Sequence, residues 1–313
     1  MLAPHLLRST RRFAMGSLVL AALAVGVGAP GEASAYCRST TCANDCPRDD
    51  EGCKTTGKPL FWASRCVGFS VQRDGTENLP MEVVRPVIEG AFLAWTELPC
   101  DAGGATASIA FSPLDDVSCR EAEYDGGGPN ANVVMFQDTK WSYAGAENNL
   151  AKTTVTYDAG TGEILDADIE LNFAFNELTA GDDHVVYDIG AILTHEIGHF
   201  VGLDHSGDPS ATMFAEYEPG TTEQRTLELD DVLAVCAAYA PERQAACEPE
   251  PKNGLADGCA GDGDAESGGC AMAGEAPRER AGWVYAIAAG AALCAALQGR
   301  RRRGRKRGSE RSR

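Results

Sequence analysis

The stretch that most restricts how this chain can fold is Thr194–Tyr217, which reads T-H-E-I-G-H-F-V-G-L-D-H-S-G-D-P-S-A-T-M-F-A-E-Y. His195 and His199 are four residues apart, so on a helix they lie one above the other on a single face, where two imidazoles can converge on one metal ion. A catalytic zinc takes three protein ligands and keeps one position for water, so a third ligand is required, and His205 supplies it. Gly202 lies between, where a left-handed conformation after the last helical turn swings the chain back toward the metal. Glu196 stands next to the first ligand, as a general base for a water molecule would. The short pattern H-E-x-x-H also occurs on ordinary solvated helix faces. Fixing His195, Glu196, His199, Gly202 and His205 together is a coincidence on the order of one in a million start positions.

His195 to His205 is the metzincin signature, and Met213 falls where that clan has its Met-turn. G-L-D-H-S and the spacing from His205 to Met213 make the chain resemble the matrixin branch, the matrix metalloproteases and their bacterial relatives. The resemblance covers roughly residues 60 to 240. It implies an α+β, zincin-like catalytic domain with a twisted, mixed five-stranded sheet, two long helices and an active-site helix. It also implies hydrolysis of peptide bonds with one Zn2+ on His195, His199 and His205, Glu196 as base, and Met213 as an apolar floor under the metal. Tyr217 matches the tyrosine that walls the primary specificity pocket, although Ala215 replaces the proline usual two residues before it. Leu150–Tyr157 corresponds to the antiparallel edge strand beside the cleft. Its unpaired N–H and C=O groups would bind a peptide as an added strand, unless a loop simply covers them.

The same strands depart from vertebrate matrixins, because Lys152 and Asp168 stand where histidines hold a structural zinc, and a second zinc is not expected. Asp166 and Glu170 match the family's calcium-coordinating carboxylates, which makes one structural Ca2+ a candidate against the alternative of solvated strand charges. Cys46-Pro47-Arg48 has the reverse order of the P-R-C-G motif that holds some relatives latent, so thiolate latency is not expected.

Both ends read as targeting segments. Arg8, Arg11 and Arg12 precede an apolar run from Phe13 to Val27, and Ala33-Ser34-Ala35 offers a cleavage site, so residues 1–35 read as a secretory signal peptide. At the other end, Ala281 to Leu297 carries no charge and meets an arginine-rich end from Arg300, so 281–299 reads as a transmembrane or sorting helix and 300–313 as a basic cytoplasmic tail. With Cys270 ahead of it as a sorting or lipidation site, this end resembles the C-terminal sorting tags of myxobacterial surface proteins. Localisation is then expected to be exported, at the cell surface or outer envelope or outside the cell, with transient anchoring in the cytoplasmic membrane before processing. Between the ends, residues 36–277 hold 13 basic and 43 acidic side chains, a net of −30. Such a surface repels nucleic acid and anionic lipid and excludes both as partners, which leaves protein or peptide substrates; no feature specifies an oligomeric state.

Of the twelve cysteines, setting aside Cys270 and Cys294 near the C-terminus leaves ten, Cys37 to Cys259, an even number that allows full pairing in an oxidising compartment. Cys100 and Cys119 could bridge across a strand, and a cysteine-only zinc site among the first four is the minor alternative. Residues 36–58 form a Cys-rich segment, 59–246 the catalytic domain, and 247–280, rich in Pro, Glu, Gly and Asp, a flexible linker. Within the domain, Cys66–Val71, Ala107–Phe111, Asn132–Phe136, Leu150–Tyr157 and Ile164–Phe173 read as strands. A helical stripe of Val83, Val84, Val87, Ile88, Ala91, Phe92 and Trp95 carries Pro86 as a kink or late start. Asp188–Val201 is the metal-bearing helix with Asp188 as its N-cap, and Leu227–Tyr239 closes the domain. The function expected is that of a secreted or surface-displayed zinc endopeptidase. The alternative from another class is a noncatalytic zinc-binding surface adhesion domain, which would be marked by loss of the base, and Glu196 is present.

Overall fold

The computed structural model describes residues 35–96, 98–259 and 285–288. Residues 1–34 of the expected signal peptide, Cys270 and the expected basic tail 300–313 lie outside these residues. After a short strand at Cys37–Arg38 (β1), runs rich in β-branched and aromatic residues form Cys66–Val71 (β2), Ala110–Pro113 (β3), Val133–Phe136 (β4), Ala151–Tyr157 (β5) and Ile164–Leu171 (β6). These last five make one mixed sheet in the order β3-β2-β4-β6-β5, with β5 the antiparallel member. The helix Met81–Ala94 (α1) connects β2 to its parallel neighbour β3, a pairing that a hairpin cannot make.

Leu178–Thr179 (β7) pairs with Tyr187–Asp188 (β8), and the chain then enters the helix Ile189–Phe200 (α2). Leu203–Asp204 (β9) and the helix Leu229–Ala238 (α3) follow. The main core lies between one sheet face and the helices, and it explains why α1 and α2 take their positions. Phe69 stacks on Phe92 at 3.9 Å, Phe92 meets Phe200 edge-on at 5.5 Å, and the buried Trp95 donates its Nε1–H to Thr194 O at 2.9 Å. Burying Ile189, Leu193, Ile197 and Phe200 fixes α2, each side chain contributing roughly 1.5–3 kcal/mol of transfer free energy. In α1, Val84, Ile88, Ala91, Phe92 and Trp95 face that core as expected, whereas Val83 is exposed. Pro86 does not delay α1, which starts at Met81 and runs through it to Ala94. It sits on the exposed side, where the Glu82 carbonyl left without its helical donor can face water.

The ten cysteines from Cys37 to Cys259 are all paired, as Cys37–Cys53, Cys42–Cys46, Cys66–Cys247, Cys100–Cys236 and Cys119–Cys259, which excludes a cysteine zinc site among the first four. Cys100 does not bridge to Cys119. It packs against the main core, while Cys119 belongs to a second cluster with Val117, Val133 and Met135, and alternation along β4 puts that cluster on the other sheet face. The Cys-rich segment is not a free appendage, because β1 pairs with β9 and Leu60 N donates to Ser39 O at 2.8 Å. Residues 247–259 are not a flexible linker either. Two disulfides, the Asn130–Leu255 bridge and the bond from Gly68 N to Pro249 O at 2.9 Å strap them to the domain.

The expected spanning helix 281–299 is corrected where it is described. Tyr285–Ala288 is a strand (β10), antiparallel to β5 with Tyr285 opposite Tyr157 and Ala288 opposite Thr154. An edge strand offers backbone partners every second residue, and the Tyr-Ala-Ile-Ala alternation suits that pairing as well as it suits a helix. Among the described residues no helix is long and apolar enough to cross a membrane.

Candidate metal centre

Asp188 caps α2 as expected, its carboxylate accepting from Ala191 N at 2.7 Å, and it is also gripped by Arg225 through Nε at 2.8 Å and Nη2 at 2.6 Å. From that fixed start the helix carries His195, Glu196 and His199 to one side, and Gly202 turns the chain with φ +86°. A Cβ on Gly202 would lie 2.5 Å from the Leu60 carbonyl oxygen, so space as well as φ requires glycine there. The turn leads through β9 to His205, and ligand nitrogens of His195, His199 and His205 come within 4.8 Å of one another.

Second partners of two rings fix which nitrogen is offered. His195 Nδ1 is 2.7 Å from Thr212 O and His199 Nδ1 is 3.0 Å from Leu203 O. A carbonyl can only accept, so both Nδ1 atoms carry the proton and both Nε2 atoms present a lone pair. His199 Nε2 and His205 Nε2 are 3.2 Å apart, close to the roughly 3.3 Å separating two nitrogens bound at about 2.0–2.1 Å on one tetrahedral zinc. Burial, then the neighbouring His199, hold His195 well below the usual imidazole pKa and bring His205 down to about 3. Neutral imidazoles are what a zinc needs, and this donor set fits one.

Thr212 is itself held from beneath. The buried Asp231 carboxylate accepts from Thr212 N at 2.8 Å, Met213 N at 3.0 Å and Glu228 N at 2.9 Å, tying the turn at Met213 to the start of α3. Met213 then packs against Gly198, where a side chain would collide with its sulfur. Glu196 is buried, its Oε2 accepting from Thr153 Oγ1 at 2.5 Å. Burial raises its pKa, and the neighbouring His199 ring and the Thr153 hydroxyl oppose that rise. Neither Thr153 nor Asp231 was marked by the sequence motif; their roles follow from contacts 43 and 19 residues away.

These groups open into a cleft of about 470 Å³, whose lining includes Asn149, Leu150, Ala151 and Tyr217. Tyr217 is fixed there, donating to Thr221 O at 2.6 Å and accepting from Asp188 N at 3.0 Å. The described pairing of β10 reaches only as far as Thr154, so the β5 residues nearest Glu196, Ala151 to Thr153, have no described partner on their outer side. Asp166 and Glu170 do not meet. Four residues along one strand separate them by about 13 Å, too far for one ion, and Glu170 is already engaged by Tyr143 and by Gln137 Nε2 at 2.9 Å. Among the described residues the three histidines form the one cluster of three or more His, Cys, Asp or Glu ligands.

The Matrixin family model matches residues 61–240. The chain is 26% identical over 190 residues to Metalloendoproteinase 1-MMP of Arabidopsis thaliana, covering 59% of this chain and 46% of that protein. It is 25% identical over 185 residues to Neutrophil collagenase of Homo sapiens, covering 59% and 34%. A third likeness, 33% over 119 residues, is to Probable matrix metalloproteinase 095L of Invertebrate iridescent virus 3, covering 34% and 29%. The chain thus spans less than half the length of each of these relatives.

Gly202→Ala is expected to destabilise the fold by about 1–3 kcal/mol, because it strains the backbone and pushes against Leu60, and to lower zinc content in parallel. Denaturant titration and metal analysis of one preparation check this; unchanged stability and full zinc would remove the turn from the account.

Proposed function

The chain belongs to the matrixin family, and on that premise we propose that it is a zinc-dependent endopeptidase that hydrolyses peptide bonds in extracellular proteins. The observation that carries the proposal is the pairing of three convergent histidines with a buried, hydrogen-bonded Glu196 on the same cleft. His195, His199 and His205 would hold the zinc, their protons kept on the far nitrogens of the first two by Thr212 O and Leu203 O. Bound there, zinc supplies Lewis acidity that polarises a carbonyl and makes water a nucleophile near neutral pH. Glu196 takes the proton of the attacking water and returns it to the leaving nitrogen as the peptide C–N bond breaks. Thr153 orients that carboxylate and favours its ionised form by donating to Oε2. Ala151 to Thr153 would receive the substrate backbone as an added strand, and Tyr217 would wall the pocket for one side chain. A noncatalytic adhesion domain would not need the base, and the presence of Glu196 favours the enzyme.

The proposal extends to export. Cleavage after Ala35 would turn Tyr36 N, 3.0 Å from Asp230 Oδ1, into an ammonium facing a carboxylate beside the Met213 turn. The bacterial branch and sorting at Cys270 are supported by sequence alone, through the isolated cysteine and the arginine-rich end. Terminal sequencing and intact mass of the native product are expected to give Tyr36 as first residue and an end before Arg313; a product running unbroken from Met1 to Arg313 overturns both.

Glu196→Gln is expected to retain zinc and lose peptide hydrolysis by at least about 100-fold. Metal analysis and a peptide assay on one sample decide it, and wild-type activity in that variant would remove Glu196 from the reaction. Thr153→Val removes the donor that favours ionised Glu196, so the acid limb of the kcat/KM profile is expected to move to higher pH at unchanged zinc content. A limb that stays in place would show that the hydroxyl does not tune the base.

A further inference from the structure

Residues 36–60 lie ahead of the stretch that the Matrixin model matches, yet they pack against the three-histidine site. Pro47–Thr55 is a small hairpin, in which Thr55 N donates to Pro47 O at 2.9 Å, Asp49 N donates to Cys53 O at 3.0 Å, and Arg48 stands opposite Lys54. The Cys37–Cys53 disulfide ties it to β1, which pairs with β9. The hairpin thereby brackets His205. On one side Lys54 Nζ is 3.5 Å from Asp204 Oδ2, and on the other a Cβ built on Gly207 would lie 3.3 Å from Glu51 O.

The two ends of the cleft are unlike. Tyr217 is bonded to Asp188 N at the start of α2, and Glu216 stands beside it in the wall; the hairpin lies past the last turn of the same helix, at Asp204 and Gly207. Burial and then His199 lower the His205 pKa, and among the described residues Arg48 is the one further charge that acts on that ring. Arg48 is exposed, and its Nη1 donates to Gly52 O. It makes no ion pair among the described residues, although Asp49, Asp50 and Glu51 follow it directly. Asp49 is used inside the turn, accepting from Cys53 N at 2.7 Å. In a chain whose residues 36–277 carry a net charge of −30, a guanidinium without a carboxylate is out of place unless one arrives with a ligand.

We propose that Arg48 is a specificity-determining residue of the cleft, and that the protein takes peptides with an acidic side chain on the His205 side of the bond that is cut. The inference rests on the endopeptidase reading above and names the substrate class for that site. A peptide extended from the Tyr217 pocket past His205 brings its far residues to the hairpin, where the guanidinium can take a carboxylate through two parallel N–H bonds. Disulfide and β-pairing hold the hairpin backbone in place, so this charge belongs to the wall of the cleft and not to a loose arm. The field of the acidic chain as a whole favours basic peptides at every position alike, whereas Arg48 acts at one.

The test uses the full disulfide-bonded chain with one equivalent of zinc and a series built on one neutral peptide, with Asp or Lys placed in turn at each position on either side of the bond. At one position, on the side opposite the residue seated against Tyr217, the kcat/KM ratio of the Asp peptide to the Lys peptide is expected to exceed the ratio elsewhere by roughly two- to fivefold, the size of an exposed ion pair. Arg48→Gln is expected to abolish that excess and Arg48→Glu to invert it, at unchanged zinc content, and high salt to shrink it. The same peptides titrated by calorimetry onto zinc-loaded Glu196→Gln, with and without Arg48→Glu, read the preference with no turnover. Ratios that are equal at every position, or that ignore both changes at Arg48, overturn the proposal while leaving the endopeptidase reading intact. A wild type that cuts no peptide but binds the Asp peptide through Arg48 does the reverse: it sustains the contact and overturns the endopeptidase reading.

Discussion

The Asp231 carboxylate is the contact on which the three-histidine site rests. It is buried at the start of α3 and gathers three backbone amides, from Thr212, Met213 and Glu228, which offset the burial that raises its pKa. Charge-assisted bonds of this kind are about twice as strong as neutral ones, so the turn at Met213 is held as firmly as a helix end. Everything above it inherits that precision. The Thr212 carbonyl is aimed at His195, the His195 tautomer is set, and the Met213 sulfur is pressed against Gly198 on the same helix.

The sheet shows how one ribbon serves two purposes. Inward, Val155, Tyr157, Ala167 and Ile169 join the main apolar core, while Thr153 reaches across to Glu196. Outward, the alternate positions are charged or hydroxylic and are covered by loops, so their interactions must be satisfied locally. Burying charge is tolerated only where it is compensated, and Lys152 against Glu170 is one solution to that constraint. The long-range disulfides act at a different level. Cys66–Cys247, Cys100–Cys236 and Cys119–Cys259 span 136 to 181 residues, restricting the unfolded chain far more than the short Cys42–Cys46 loop does.

Sequence alone determined the three convergent histidines, the Glu196 beside them, the turn glycine, the N-cap Asp188 and the existence of the five sheet strands, because each depends on local spacing or periodicity. It also indicated that ten cysteines would pair, since parity and compartment require no geometry. Tertiary structure decided which cysteines meet, because a sheet stands between Cys100 and Cys119 while α3 brings Cys236 to Cys100. It decided that 247–259 is strapped down and that Tyr285–Ala288 is a strand, since bias toward Pro, Gly or Ala leaves the backbone free to take whichever hydrogen-bond partners the fold offers. And it separated Asp166 from Glu170, because a strand keeps two residues on one face while holding them apart, a distance that one-letter spacing does not convey.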